Sequence, residues 1–129
     1  MSLKKEVQSF RDLAVWQLGM QLAEDVYRMT AKFPAEEKFG LTSQLRRATA
    51  SIPANIAEGH ARSSTKDFLR HLSIAVGSLA EVTTFIELAE RLSLIDRQIA
   101  NKLLDSLQQE RRMLRGLQTS LRRRIARDR

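Results

Sequence analysis

The sequence predicts an all-α fold, an antiparallel up-down-up-down four-helix bundle, on three observations. Apolar residues recur at steps of three and four from about Phe10 to the end. Five Gly and two Pro are too few for a fold built on tight hairpins, and no stretch alternates with the period of a strand. Breaks at 33–36, 60–63 and 92–95 divide the pattern into four, and connections that short favour antiparallel neighbours. The 129 residues are enough for one domain over 1–129 and too few for two. Residues 1–9 are expected as a flexible start and 126–129 as the end of a basic tail.

The first helix is expected over about Arg11 to Lys32, with Asp12 as a plausible N-cap. It carries two apolar stripes: Val15, Leu18, Leu22, Val26, Met29 and Phe33, and beside them Leu13, Trp16, Met20, Ala23 and Tyr27. One stripe would mark an ordinary surface helix, whereas two mean a helix covered on more than one side. The second helix lies within about Glu36 to Gly59, with Leu41, Leu45, Ala48, Ile52 and Ile56 as its core stripe and Gly59 as its C′ residue. Either Pro34 at the first helical position or Thr42 as an N-cap would start it. Pro53 lacks the N–H that would reach the carbonyl of Thr49, so a kink is expected near 49–51.

The third helix is expected from about Ser64 to Arg91, capped by Ser63 or Ser64 with Asp67 in a weak capping box. Its stripes are Phe68, Leu72, Val76, Leu79, Thr83 and Ile86, and Ile74, Ser78, Glu81, Phe85, Leu88 and Leu92. The fourth runs from about Asp96 towards Ala126 on Ile99, Leu103, Leu107, Leu114, Leu117, Leu121 and Ile125. At roughly 1.5 Å per residue it reaches about 45 Å, so this long basic helix is expected to outrun the first two. The double stripes of the first and third helices exceed what one monomer core can bury, which implies a homo-oligomer.

Composition narrows the function. Apolar residues at 43% and charged residues at 29% describe a globular chain. The absence of Cys excludes thiol catalysis, Cys-ligated metal centres and disulfides. No run approaches the roughly 18 uninterrupted apolar residues of a membrane span, and no apolar segment follows the charged start, so a cytoplasmic protein without a membrane role is expected. The net charge of +7 is unevenly placed: residues 1–109 hold 14 Lys and Arg against 13 Asp and Glu, while 110–129 hold eight Arg against Glu110 and Asp128. That distribution is an electrostatic pole.

Four-helix bundles can house di-iron sites, which need two Glu-x-x-His pairs and two further Glu. Here there are only two His; Glu58 and His60 lie about 200° apart on a helix, and His71 has no Glu three residues before it. No metal and no cofactor are therefore expected. Ser63, Ser64 and Thr65 read as a helix cap, and neither a phosphate-binding loop nor a dinucleotide fingerprint is present, so no catalytic residue is assigned and an enzyme is not expected.

Two polar features remain. Gln44, Ser51, Asn55 and Glu58 fall within about 60° of one another beside the core stripe of the second helix, with Arg47 at the edge. Such a row either hydrogen-bonds across to another helix or subunit, or is solvated. In the fourth helix Arg111, Arg115 and Arg122 align on one flank, with Arg112, Arg123, Arg124 and Arg127 spreading around it. Helix-dipole compensation needs one or two such charges, not eight. Because guanidinium forks suit phosphate, the segment is expected to bind an anionic partner, RNA or DNA ahead of an acidic protein.

The runs Phe10-Arg-Asp-Leu-Ala-Val-Trp-Gln, Phe39-Gly-Leu-Thr-Ser-Gln-Leu-Arg-Arg-Ala, Ser51-Ile-Pro-Ala-Asn-Ile-Ala-Glu-Gly and Ala75-Val-Gly-Ser-Leu-Ala-Glu, with Arg62, Ser64, Asp67 and Phe68, resemble a known family. It is the four-helix-bundle proteins encoded by intervening sequences in bacterial 23S rRNA genes, to which the accessory variability determinant of diversity-generating retroelements is related. The resemblance spans about residues 10–95 and implies a homopentamer around a central channel, with no assigned activity. It also implies, through the retroelement relative, a basic scaffold that engages a reverse transcriptase and nucleic acid. The motif positions that carry over are Gln44, Arg46, Arg47, Ser51, Pro53, Asn55, Glu58, Gly59 and Arg62, none with an established catalytic role. Where the family often reads Glu-Leu-Glu, this chain has Glu81-Val-Thr-Thr, and the Arg-rich tail lies outside the shared region.

Overall fold

The structure, a computed structural model, describes residues 7–128. Most of the expected flexible start therefore lies outside the described residues. From Ser9 onward the chain is held: its hydroxyl accepts from Arg11 N, and the Asp12 carboxylate accepts from Gln8 N and Ser9 N. This capping box closes a 3₁₀ turn over Phe10–Asp12. Asp12 thus serves the turn and is not the N-cap expected for the first helix. Helix α1 begins one residue past Leu13 and spans Ala14–Thr30.

Helix α2 spans Leu41–Ala61, α3 Thr65–Arg91 and α4 Arg97–Arg127. No strand occurs among the described residues. Neither expected start of α2 holds. Pro34 leads instead into a 3₁₀ turn at Ala35–Glu37, and Thr42 is buried inside α2. Gly40 is the N-cap, and Glu37 supplies what a glycine cannot, its carboxylate Oε1 accepting from Leu41 N at 3.2 Å. Ser64 and Asp96 cap α3 and α4 by accepting from Asp67 N at 3.0 Å and Ile99 N at 2.8 Å.

Gly59 does not end α2, which runs on to Ala61. A Cβ at this position would lie 2.7 Å from His71 Cβ and 3.0 Å from Phe68 Cδ1. Glycine is there so that α3 can approach the backbone of α2. Pro53 is buried within α2, which continues through it, while Thr49 turns its hydroxyl to Leu45 O at 2.7 Å.

Each helix packs on two others: α1 on α2 and α4, and α3 on α2 and α4. Gly59 and Asn55 meet His71 while Ser51 meets Ser78, so residue numbers run in opposite senses along α2 and α3. Inside the ring Leu22, Leu45, Ile52, Ile56, Leu72, Ile86, Leu107 and Leu114 are closed to solvent. The second stripe of α1 is only half used: Trp16 packs against the core and edge-on to Phe10 at 5.3 Å, but Met20 and Tyr27 are exposed. By length and composition α3 is apolar enough to cross a membrane, its best window having a mean hydropathy of 1.5. Its Leu72, Ala75, Leu79, Val82, Ile86 and Ala89 are buried in the core.

Candidate nucleic-acid interface

The last third of α4 is amphipathic to its end, because Leu114, Gln118 and Leu121 hold it against the bundle. The polar face is therefore displayed on a fixed rod. Arg111, Arg112, Arg115, Arg122, Arg123, Arg124 and Arg127 are all exposed. Among the described residues none of the seven forms an ion pair; the pairs present involve Arg28, Arg62, Arg70 and Arg97. Arg111 borders a groove with Leu79 and Thr83 of α3, and Arg115 donates to Gln118 Oε1 at 3.1 Å. Gln118 in turn donates to Ser73 of α3 at 3.4 Å, so this flank of α4 faces α3. Arg123 and Arg127 border a separate concavity, and Arg124 turns towards the segment joining α2 to α3. The seven spread over much of the helix surface and do not converge on one point.

Glu110 was not singled out by the sequence reasoning. It is fully buried, neither carboxylate oxygen has a hydrogen-bond partner among the described residues, and Oε2 would lie 3.0 Å from a Cβ on Gly19. Burial among apolar neighbours pushes its pKa up to about 8, so the carboxyl is mostly neutral at pH 7. The signal was available. Leu103, Leu107, Glu110, Leu114, Leu117 and Leu121 alternate steps of four and three, so Glu110 occupies a core seat. With Glu110 mostly neutral, the arginine pole is steeper than formal charges state.

The polar row of α2 is divided. Ser51 Oγ meets Ser78 Oγ at 2.8 Å, and Asn55 donates to Ser51 O and Oγ while its Oδ1 lies 3.3 Å from His71 Nδ1. Glu58 accepts from Arg62 at 2.9 Å within the same helix end. Gln44 and Arg47 instead border an open groove of about 590 Å³ with Glu81 and Phe39, whose ring is 90% exposed. Arg46, a motif position with no role assigned from the sequence, donates to Thr30 Oγ1 and Tyr27 O at 2.8 and 3.1 Å, closing the end of α1. Among the described residues no three His, Asp or Glu side chains cluster in a way that could hold a metal ion.

Fold and surface together define an all-α four-helix protein with one strongly cationic helix. The chain belongs to the family of 23S rRNA-intervening sequence proteins, which its sequence matches over residues 11–116. A protein of unknown function from the S23 ribosomal protein family of Bacteroides thetaiotaomicron VPI-5482 has a solved structure similar to this one, with a TM-score of 0.73. The two are 23% identical, and the alignment covers 81% of this chain and 97% of that one, a likeness of fold. No curated protein matches significantly.

Proposed function

We propose that this is a non-enzymatic, oligomeric four-helix protein that binds RNA or DNA through α4 with little sequence preference. One observation carries the reading: seven exposed arginines on one rigid helix, without an ion pair among the described residues. Left alone they repel one another. A polyphosphate chain removes that repulsion and gains forked hydrogen bonds, whichever bases it carries. Because the cations spread over about 220° of the helix surface, they suit a flexible or wrapping backbone better than a single small anion.

The oligomer is supported by apolar surface that one copy leaves open. Ile74 and Leu88 of α3 and Leu92, its C-cap, are 41–55% exposed, and Phe39 stands out beside the neighbouring groove. A pentamer, which the family resemblance implies, would cover this face. Sedimentation at micromolar concentration tests it, a stable monomer being the contrary result.

Binding is tested with fluorescently labelled single-stranded RNA and duplex DNA in low salt. Both should bind, and Arg122→Ala, Arg123→Ala and Arg124→Ala together should weaken both alike. Negligible retention of either nucleic acid refutes the reading. Capture of an acidic protein that survives nuclease treatment, and is lost with the tail, would replace it by a protein-interaction scaffold.

A further inference from the structure

At the end of the bundle where α2 passes into α3, a cavity of about 410 Å³ opens between that connection and the last turns of α4. The volume lies in the range of small-ligand pockets, roughly 300–1,000 Å³. Its lining is mixed. Leu13, Phe68, Leu117 and Leu121 contribute apolar surface, and Arg62, Arg124, His60, Ser63 and Thr65 contribute polar groups. Among the described residues no Asp or Glu lines the space.

The two guanidiniums come from different elements, Arg62 from the end of α2 and Arg124 from α4. Arg62 is the C-cap residue of α2, and its Nη2 already donates to Glu58 at 2.9 Å, which leaves further N–H groups of the fork available. Arg124 lies about 200° around α4 from Arg122, and this rotation separates it from the Arg111–Arg115–Arg122 flank. The hydroxyls of Ser63 and Thr65 and the ring of His60 make no hydrogen bond among the described residues, while His60 stands edge-on to Phe68 at 5.7 Å.

Resting on the nucleic-acid reading above, we propose that this cavity binds a terminal phosphomonoester of a nucleic acid strand. Arg62 and Arg124 hold the phosphate, and the attached nucleoside lies against Phe68 and the leucines. The donor set selects an end over an internal link. A phosphodiester carries one negative charge, whereas a phosphomonoester carries about 1.5 to 2 near pH 7 and offers three terminal oxygens. Arg124, without an ion pair among the described residues, and the N–H groups that Arg62 keeps beyond its pair with Glu58 offer several donors, and forked donors suit the three terminal oxygens of the second. The apolar side chains give the sugar and base a dry surface that a free inorganic anion would not use.

The experiment compares single-stranded RNAs of one sequence, about 12 nucleotides long, bearing either a 5′-phosphate or a 5′-hydroxyl, by fluorescence anisotropy. The phosphorylated strand should bind about tenfold more tightly, in keeping with one charge-assisted contact set. Ser63→Glu places an anion at the mouth from an exposed loop position, so the fold is preserved. This variant should erase the preference, so that the two strands bind alike. Equal affinity for the two strands, or a preference that survives Ser63→Glu, overturns the proposal and leaves the α4 reading intact. If neither strand binds in low salt, the α4 reading fails, and a titration with AMP against adenosine decides the cavity alone. Amide shifts at Ser63, Thr65 and Phe68 with AMP and not with adenosine support it; their absence, or equal shifts with both, refutes it.

Discussion

Helix α2 and the last third of α4 both set polar residues beside an apolar stripe, and they use them in opposite ways. On α2 the polar groups are largely matched within the chain: Ser51 to Ser78, Asn55 to His71, Glu58 to Arg62, Arg46 to the end of α1. On α4 seven arginines have no ionic partner among the described residues. Matched groups fix which helix lies beside which, because a buried donor or acceptor left unpaired costs about 1–3 kcal/mol. Unmatched exposed charges do nothing for the fold and are available to a ligand. The matched groups of α2 therefore build the scaffold, and α4 supplies the charge. Contrary to the expectation that the arginines lie outside the shared region, Arg111, Arg112 and Arg115 fall within the family-matched residues 11–116, and Arg122, Arg123, Arg124 and Arg127 lie beyond them.

The largest expected effect that sharpens this contrast comes from Glu110, the polar residue of α4 that faces inward. Its carboxyl binds a proton more tightly folded than unfolded, its pKa being about 8 against 4.5. Between those values the folded state holds more protons, so stability falls as pH rises, by up to about 5 kcal/mol over the window at ~1.36 kcal/mol per unit. Below 4.5 the contribution is fully present, and above about 8 its loss is complete. Urea unfolding at pH 5, 7 and 9 should show this decline in the parent and a much flatter profile in Glu110→Gln. A parent with equal midpoints at pH 5 and 9 would show that Glu110 is solvated after all.

Gly59→Ala comes next. Its Cβ would fall 2.7 Å from His71 Cβ, and neither backbone can yield cheaply, so a loss of about 1–3 kcal/mol is expected despite the better helix propensity of Ala. An unchanged melting temperature would mean that α2 and α3 separate easily. Asn55→Ala follows. It strips Ser51 and His71 of a partner at a half-buried site, for about 1–2 kcal/mol by thermal unfolding.

Much of the scaffold was legible in the sequence. Three-and-four spacing marks all four helices, and Ser64 with Asp67 and Asp96 with Ile99 identify two starts because a side-chain acceptor does the capping. The start of α2 was not legible, since Gly40 has no side chain to cap with and the acceptor, Glu37, comes from a preceding turn. Gly59 reads as a stop signal locally, yet the reason for it lies on another helix. Glu110 was passed over because residue type and seat disagree: charge argues for the surface and spacing for the core, and only the neighbouring Gly19 makes room. For the candidate site, the Arg111–Arg115–Arg122 flank follows from helical angles. The separation of Arg124 into a cavity with Arg62 does not, because it depends on how the α2–α3 connection meets α4.

The smallest expected effect on stability belongs to the residues with the largest expected effect on binding. Arg122→Ala, Arg123→Ala and Arg124→Ala together should leave the unfolding midpoint nearly unchanged, each exposed change being worth about 0.5 kcal/mol or less. The most direct test measures duplex DNA affinity for parent and triple variant between about 50 and 200 mM salt. The account predicts a steep linear fall of log K with log salt for the parent, and a slope shallower by up to about 2.7 for the variant, at ~0.9 per phosphate contact. Parallel lines would contradict it, because they would mean that the arginines at the end of α4 touch no phosphate.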